Sequence, residues 1–234
     1  MATYETFAAV YDEIMDDSLY DKWTDFSLRN LPQDTKTILE LACGTGIQAV
    51  RFAQKGYEVT GLDLSYEMLE LAQADMIALE GVGDFDAVTC YSDSLCYMAD
   101  QEAVLRVFEG VHSVLNQGGT FLFDVHSIYQ MEEVFAGYSY HENYEDFAFV
   151  WDTYEGEHEH SIVHELTFFV KDEDSQEERF IRRDEVHEER TYPIETYVEL
   201  LKEAGFTSVE VFADFEDQAP TETSQRWFFK AVKA

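Results

Sequence analysis

The stretch Thr37-Ile38-Leu39-Glu40-Leu41-Ala42-Cys43-Gly44-Thr45-Gly46 limits the possible folds more than any other part of the chain. Its first five residues are an apolar run, short and branched enough to be a buried strand. Gly44 and Gly46 carry no Cβ, so the chain can turn tightly there and bring its backbone close to a ligand. Ile47 to Lys55 then has the pattern of a helix, with Gly56 placed to end it. A strand feeding a glycine turn and a helix N-terminus presents free N–H groups and a positive dipole end, which suit an anion. The run Val59-Thr60-Gly61-Leu62-Asp63 then gives a second strand that ends on a carboxylate, Asp63, seventeen residues after Gly46. An acid in that place can accept hydrogen bonds from both hydroxyls of a ribose.

Gly44-x-Gly46-x-x-Ala49 also fits the dinucleotide fingerprint, which discriminates poorly by itself. Glu40 shifts the balance. A carboxylate beside the turn repels a pyrophosphate, yet it pairs with the ammonium of an amino acid. S-adenosylmethionine carries both an ammonium and a ribose. With Glu-Leu-Ala-Cys-Gly-Thr-Gly followed by Gly-Leu-Asp-Leu-Ser, the chain resembles the class I S-adenosylmethionine-dependent methyltransferases, in particular the bacterial small-molecule type. "FDAV" at 85–88 and "LNQGGTFLFDVHS" at 115–127 extend the resemblance.

The resemblance implies a Rossmann-like, mainly parallel sheet of seven strands with the last antiparallel, and S-adenosylmethionine as cofactor. It places Glu40, Ala42, Gly44, Gly46, Asp63, Leu64, Met68, Asp75, Met76 and Tyr91 around that cofactor. Related enzymes also carry a Tyr-Asp pair in an N-terminal helix that closes over the cofactor, and Tyr11-Asp12 matches it. An aromatic stripe packed on the core explains Tyr11 equally well. Two other readings stay open: a nicotinamide-dependent oxidoreductase, and a module that binds S-adenosylmethionine without turnover.

The third strand is where the chain departs from the family. Gln73-Ala74-Asp75-Met76 looks like the segment that meets the adenine, but only eleven residues separate Asp63 from Asp75. A parallel crossover takes about a dozen residues or more before the strand itself. Met68, Leu71, Ala72, Met76 and Leu79 continue instead at helical spacing. Either the sheet has six strands and 65–80 is one helix, or a stub strand keeps Asp75 near the adenine. The spacing favours the first.

Further along, Asp100 caps a helix whose apolar face runs through Val104, Val107, Phe108, Val111 and Leu115, with Gly118-Gly119 as its end. Residues 128–190 break the βα alternation: Phe147–Thr153, Ile162–Val170 and Arg179–Glu189 read as antiparallel strands. The chain therefore divides into a Rossmann-like domain at 1–127 and 191–234 and an antiparallel β insert at 128–190. In related enzymes such an insert is a lid over the substrate. A last helix from Pro193 to Gly205 and two closing strands complete the pattern.

Methyl transfer from a sulfonium is an in-line displacement, and a base is needed only for a protonated nucleophile. His126, just past a strand end where ligands bind in open α/β sheets, is the candidate for that base, or else it fills hydrogen bonds there. His164 is a lid group facing the substrate or a satisfied core histidine. Arg190 and Tyr192, where the insert rejoins the core, are the candidate grip on a substrate anion. His158, His160 and His164 would share a face of a continuous strand, but Gly156 to Ser161 reads as a turn, so no metal is expected.

Composition narrows the acceptor. The 234 residues carry 49 acids against 15 bases, a formal net charge of −34. Such a surface repels phosphate backbones, which argues against nucleic acid and for a small molecule. No basic leader and no apolar run long enough to cross a membrane are apparent, and three scattered cysteines make no disulfide framework, so a cytoplasmic protein is expected.

Overall fold

Strand β1 (Thr37–Leu41) pairs in parallel with β2 (Glu58–Leu62) on one side and β3 (Phe85–Cys90) on the other. In this computed structural model, residues 15–64, 75–79, 81–172 and 179–234 are described. Among them six strands make the main sheet, in the order β2-β1-β3-β4-β10-β9. Strand β4 (Leu115–His126) continues the parallel set, and β10 (Arg226–Val232) runs antiparallel between β4 and β9 (Ser208–Ala213). β1, β3, β4 and β10 are buried along most of their length, which is why they read as near-continuous apolar runs.

Helices cover the sheet. On one side α1 (Asp17–Asn30) packs Tyr20, Trp23 and Phe26 against Ile38, Phe52, Leu122 and Phe228. Helix α2 (Ile47–Gln54) follows the glycine turn. Helix α3 (Gln101–Val114) starts where Asp100 accepts the Ala103 N–H at 2.8 Å, and its apolar face fills the main core with Val104, Val107, Phe108 and Val111. Helix α4 (Ile194–Glu203) precedes β9.

Two expectations need correction. Helix α3 stops at Val114, not at Gly118–Gly119, because Leu115 is buried and already pairs with Phe85 across the sheet. Residues 75–79 are a turn rather than the end of a helix: Oδ1 of Asp75 accepts the Ile77 N–H at 3.0 Å and the Asp75 carbonyl accepts the Ala78 N–H at 2.8 Å. Residues 65–74 lie outside the described set, as do Met68 and Tyr11. β2 is an edge of the described sheet, in keeping with the six-strand alternative.

The antiparallel strands form a separate four-stranded sheet, in the order β5 (Ser139–Asn143), β6 (Phe147–Glu155), β7 (Ser161–Lys171), β8 (Phe180–Arg190). Strand β5 was not foreseen; its polar sequence, Ser-Tyr-His-Glu-Asn, has no apolar alternation to announce it. The far part of this sheet has its own small cluster of Phe147, Phe149, Leu166 and Phe168. Its base does not stand apart. Met131, Phe135 and Ile162 belong to the main core cluster, so the insert is anchored in the main core.

Candidate active site

The turn after β1 is held in a conformation that backbone sterics disfavour. Ala42, Gly44 and Gly46 all have positive φ, at 52°, 54° and 82°. Ala42 bears a Cβ in that region, and such strain concentrates at ligand sites. The turn is braced from β2: the Cys43 N–H reaches the Leu62 carbonyl at 3.1 Å, and the Gly44 N–H reaches Oδ2 of Asp63 at 2.8 Å. Gly61 is required for packing, since a Cβ there would meet Sγ of Cys43 at 2.8 Å. Among the described residues nothing lies within 4 Å of where a Cβ on Gly44 or Gly46 would point, so the turn has open space beside it there.

Glu40, the penultimate residue of β1, is buried, and among the described residues its Oε2 has no hydrogen-bond partner. Burial, with Asp63 adding to it, pushes its carboxyl up to about 8. A small cavity beside it is lined by Tyr20, Trp23, Ala42, Gly44, Gln48 and Tyr91 among others. Tyr91 stacks on Trp23 at 6.1 Å and shares a 2.6 Å hydrogen bond with Ser27, so its ring is a fixed wall. Leu64 is exposed just beyond β2. An orphaned buried carboxylate, a braced turn with open space and an acid at the next strand end fit the ammonium and ribose of S-adenosylmethionine.

A second constellation lies at the carboxyl ends of β3 and β4. Ser92 and Asp93 repeat the positive φ, at 57° and 51°. The Arg226 guanidinium sits between two acids, with Nη2 2.7 Å from Oδ1 of Asp93 and Nη1 2.6 Å from Oδ2 of Asp124. Asp124 also accepts the Trp23 indole N–H at 2.8 Å. Nε2 of His126 stands 3.3 Å from Oδ1 of Asp93 and 3.7 Å from Oε2 of Glu189 on β8. Burial pushes Asp93 up, but the charges of His126 and Arg226 outweigh it and hold the carboxyl well below the usual range. Asp124 goes the other way, because burial there exceeds the pull of the same guanidinium.

His164 joins this group. Its Nδ1 accepts the Trp151 N–H at 3.0 Å, and its Nε2 stands 3.4 Å from Oε1 of Glu189 without the alignment of a hydrogen bond. Phe135 packs edge-on between the rings of His126 and His164. Arg190 and Tyr192 flank Thr191, whose hydroxyl donates to the His126 carbonyl at 2.7 Å. The Arg190 guanidinium lies 4.9 Å over the Tyr192 ring and donates to the Glu159 carbonyl, and Tyr192 is buried in the core. Asp75 is exposed, while Met76 packs against the main core. His158 and His160 fall in the turn before β7, as the glycine predicts.

Sequence reasoning missed Asp124, Glu189 and Arg226. Each left a trace. Asp124 is an acid inside the apolar run Phe121-Leu122-Phe123-Asp124-Val125, and a fully buried charge needs a partner. On β8, Glu185, His187 and Glu189 alternate inward, so the polar face of that strand is the buried one.

Together the sheet order, the braced turn and the orphaned acid define an α/β protein that binds a nucleoside cofactor carrying an amino group. Residues 38–119 match the family model described as "Methyltransferase domain". The chain is 43% identical over 249 residues to the Geobacillus sp. (strain WCH70) protein named "Putative methyltransferase GWCH70_2453", covering 99% of this chain and 100% of that one. It is 42% identical over 245 residues to YqeM of Bacillus subtilis (strain 168), covering 99% and 97%. Among solved structures it resembles an S-adenosylmethionine-dependent methyltransferase from Clostridium acetobutylicum ATCC 824, at 26% identity, TM-score 0.81 and 98% coverage of both chains. The chain belongs to the class I S-adenosylmethionine-dependent methyltransferases, is an enzyme of that family, and uses S-adenosylmethionine as its cofactor. The nicotinamide alternative is thereby set aside. No helix among the described residues is long and apolar enough to cross a membrane.

Proposed function

We propose that the protein transfers the cofactor's methyl group to a small molecule that approaches the carboxyl ends of β3 and β4, beneath the β5–β8 insert as a lid. The observation that carries the cofactor assignment is the buried Oε2 of Glu40, unpaired among the described residues, beside the open Gly44–Gly46 turn. Glu40 meets the ammonium, Asp63 the ribose, and Ala42, Gly44 and Gly46 let backbone come close. Tyr91 and Leu64 give the walls, with Tyr11, Met68, Asp75 and Met76 added by the family resemblance. The bound cofactor supplies an electrophilic methyl on a sulfonium. What the chain contributes is alignment, which can be worth on the order of 7–11 kcal/mol. The formal charge of −34 supports a small acceptor over a nucleic acid.

Asp63→Ala is expected to weaken S-adenosylmethionine binding by roughly 1.5–3 kcal/mol per lost charge-assisted hydrogen bond, read by calorimetry. Asp63→Asn, which keeps an acceptor for the Gly44 N–H, separates that loss from collapse of the turn. Unchanged affinity in both variants removes Asp63 from the site.

His126 is proposed as the base for a protic acceptor, with Asp93 and Glu189 holding its ring. His126→Gln should lower transfer of tritium from labelled cofactor into a small-metabolite extract by about 100-fold or more, with cofactor affinity within a few-fold. Equal transfer by the variant would mean that alignment alone suffices.

A further inference from the structure

We propose that Asp93, His126 and Glu189 form a site for one divalent first-row cation, such as Zn2+ or Mn2+, whose binding withdraws Nε2 of His126 from proton transfer. Only the second half rests on the reading of His126 as base, since binding itself does not need it.

The geometry is that of a site nearly closed. One ligand atom from each of the three residues lies within 4.8 Å of the others. Two of the separations are 3.3 Å, from His126 Nε2 to Asp93 Oδ1, and 3.7 Å, from His126 Nε2 to Glu189 Oε2. Ligands held about 2.0–2.2 Å from such an ion stand roughly 3–3.6 Å apart, so small side-chain movements complete the shell. The three come from different places: the turn after β3, the end of β4 and the inner face of β8. An ion there would tie the insert to the main sheet.

A buried atom points to a missing partner. Among the described residues Oε2 of Glu189 makes no hydrogen bond, although Glu189 is only 5% exposed. Native structures rarely leave such groups unsatisfied without an ion, water or ligand to explain them. A proton on His126 is the competing explanation, but its Nε2 is 3.7 Å from Oε2 of Glu189 and leaves that oxygen unbonded.

The surroundings are those of ligands held from behind. Arg226 grips Asp93, and Asp124 grips Arg226 in turn. The Trp151 indole N–H donates to Nδ1 of His164, which turns the Nε2 edge of that ring toward Oε1 of Glu189 at 3.4 Å and leaves Oε2 for the ion. Such outer contacts are the usual means of orienting metal ligands. Asp93 and Asp124 share the guanidinium of Arg226, and Glu189 brings a third carboxyl group against His126, an excess of acid that a dication offsets. One imidazole with two carboxylates suits zinc, manganese or iron. A nitrogen bound to an ion has no lone pair for a proton, so occupancy and base action at His126 exclude each other.

The test is titration of the chelator-treated protein with Zn2+ by calorimetry, and with Co2+ by visible absorption, at moderate salt to suppress binding to the acidic surface. One equivalent is expected in the wild type. Asp93→Asn and Glu189→Gln should each weaken it by roughly tenfold or more, while Glu132→Gln, at a surface acid paired with His160, should not. Thermal melts confirm that each variant folds, and two independent ligand variants guard against one that does not. No binding by the wild type, or equal binding by all variants, overturns the site. S-adenosylmethionine affinity measured on the same samples keeps the two readings apart: its failure would strike at Glu40 and Asp63 and leave the ion site standing.

Discussion

Arg226→Met is expected to destabilise the fold by roughly 3–5 kcal/mol in denaturant unfolding, the range for breaking a buried ion pair by removing one partner. Both ends of the guanidinium are in use, on Asp93 and Asp124, and its carbon lies 5.8 Å over the Trp23 ring. Asp124 is fully buried, so no water can replace the lost donor. Methionine fills much of the volume and supplies no charge, which isolates the electrostatic loss from a cavity. Arg226→Lys should recover only part, because one ammonium cannot span two carboxylates as the planar fork does. Adding Asp124→Asn to the methionine variant should also restore stability, by removing the carboxyl left alone. A loss below about 1 kcal/mol for Arg226→Met would mean that the two acids find other partners, contrary to the geometry.

Arg226 also shows where a sequence stops being informative. The cofactor turn was legible because its parts are consecutive: a branched apolar strand, glycines where φ is positive, a helix, and an acid one strand later. The same holds for the Asp100 cap, for β6, β7 and β8, and for the family resemblance that rests on them. The cluster at β3 and β4 is assembled from residues up to 133 positions apart, the separation of Asp93 and Arg226. No local pattern encodes such a meeting, and only an acid inside an apolar strand hints that a partner exists. His126 was visible as a residue at a strand end and His164 as a lid or core histidine; Glu189, which brings them together, was not, since it depends on how the insert folds back. The readings that failed, at Gly118–Gly119 and at residues 75–79, failed where propensity gave way to context. Pairing with Phe85 drew Leu115 into a strand, and the Asp75 side chain closed a turn within a stretch of helical spacing.

Glu40→Gln should stabilise the cofactor-free protein while weakening its hold on S-adenosylmethionine. The carboxyl is pushed up to about 8 by burial and then by Asp63, far above its ordinary value. A group whose folded-state pKa lies above its unfolded value binds its proton more tightly when folded. Its contribution is therefore fully present below the unfolded pKa and is lost as pH rises toward about 8. At 1.36 kcal/mol per unit, that loss is up to about 5 kcal/mol by pH 8. Glutamine has nearly the same shape and no charge to bury. The two proteins should thus unfold at similar denaturant concentrations near pH 5 and diverge steadily above it, with the glutamine variant the more stable at pH 8. Saturating cofactor should reverse the order. Its ammonium makes the ionised carboxylate favourable in the wild type, whereas the amide offers no opposite charge, so the ligand-induced rise in melting temperature should be much smaller in the variant. Parallel stability curves from pH 5 to 8 would mean that Glu40 is not held against its charge. An undiminished thermal shift with the cofactor would mean that the ammonium is received somewhere else.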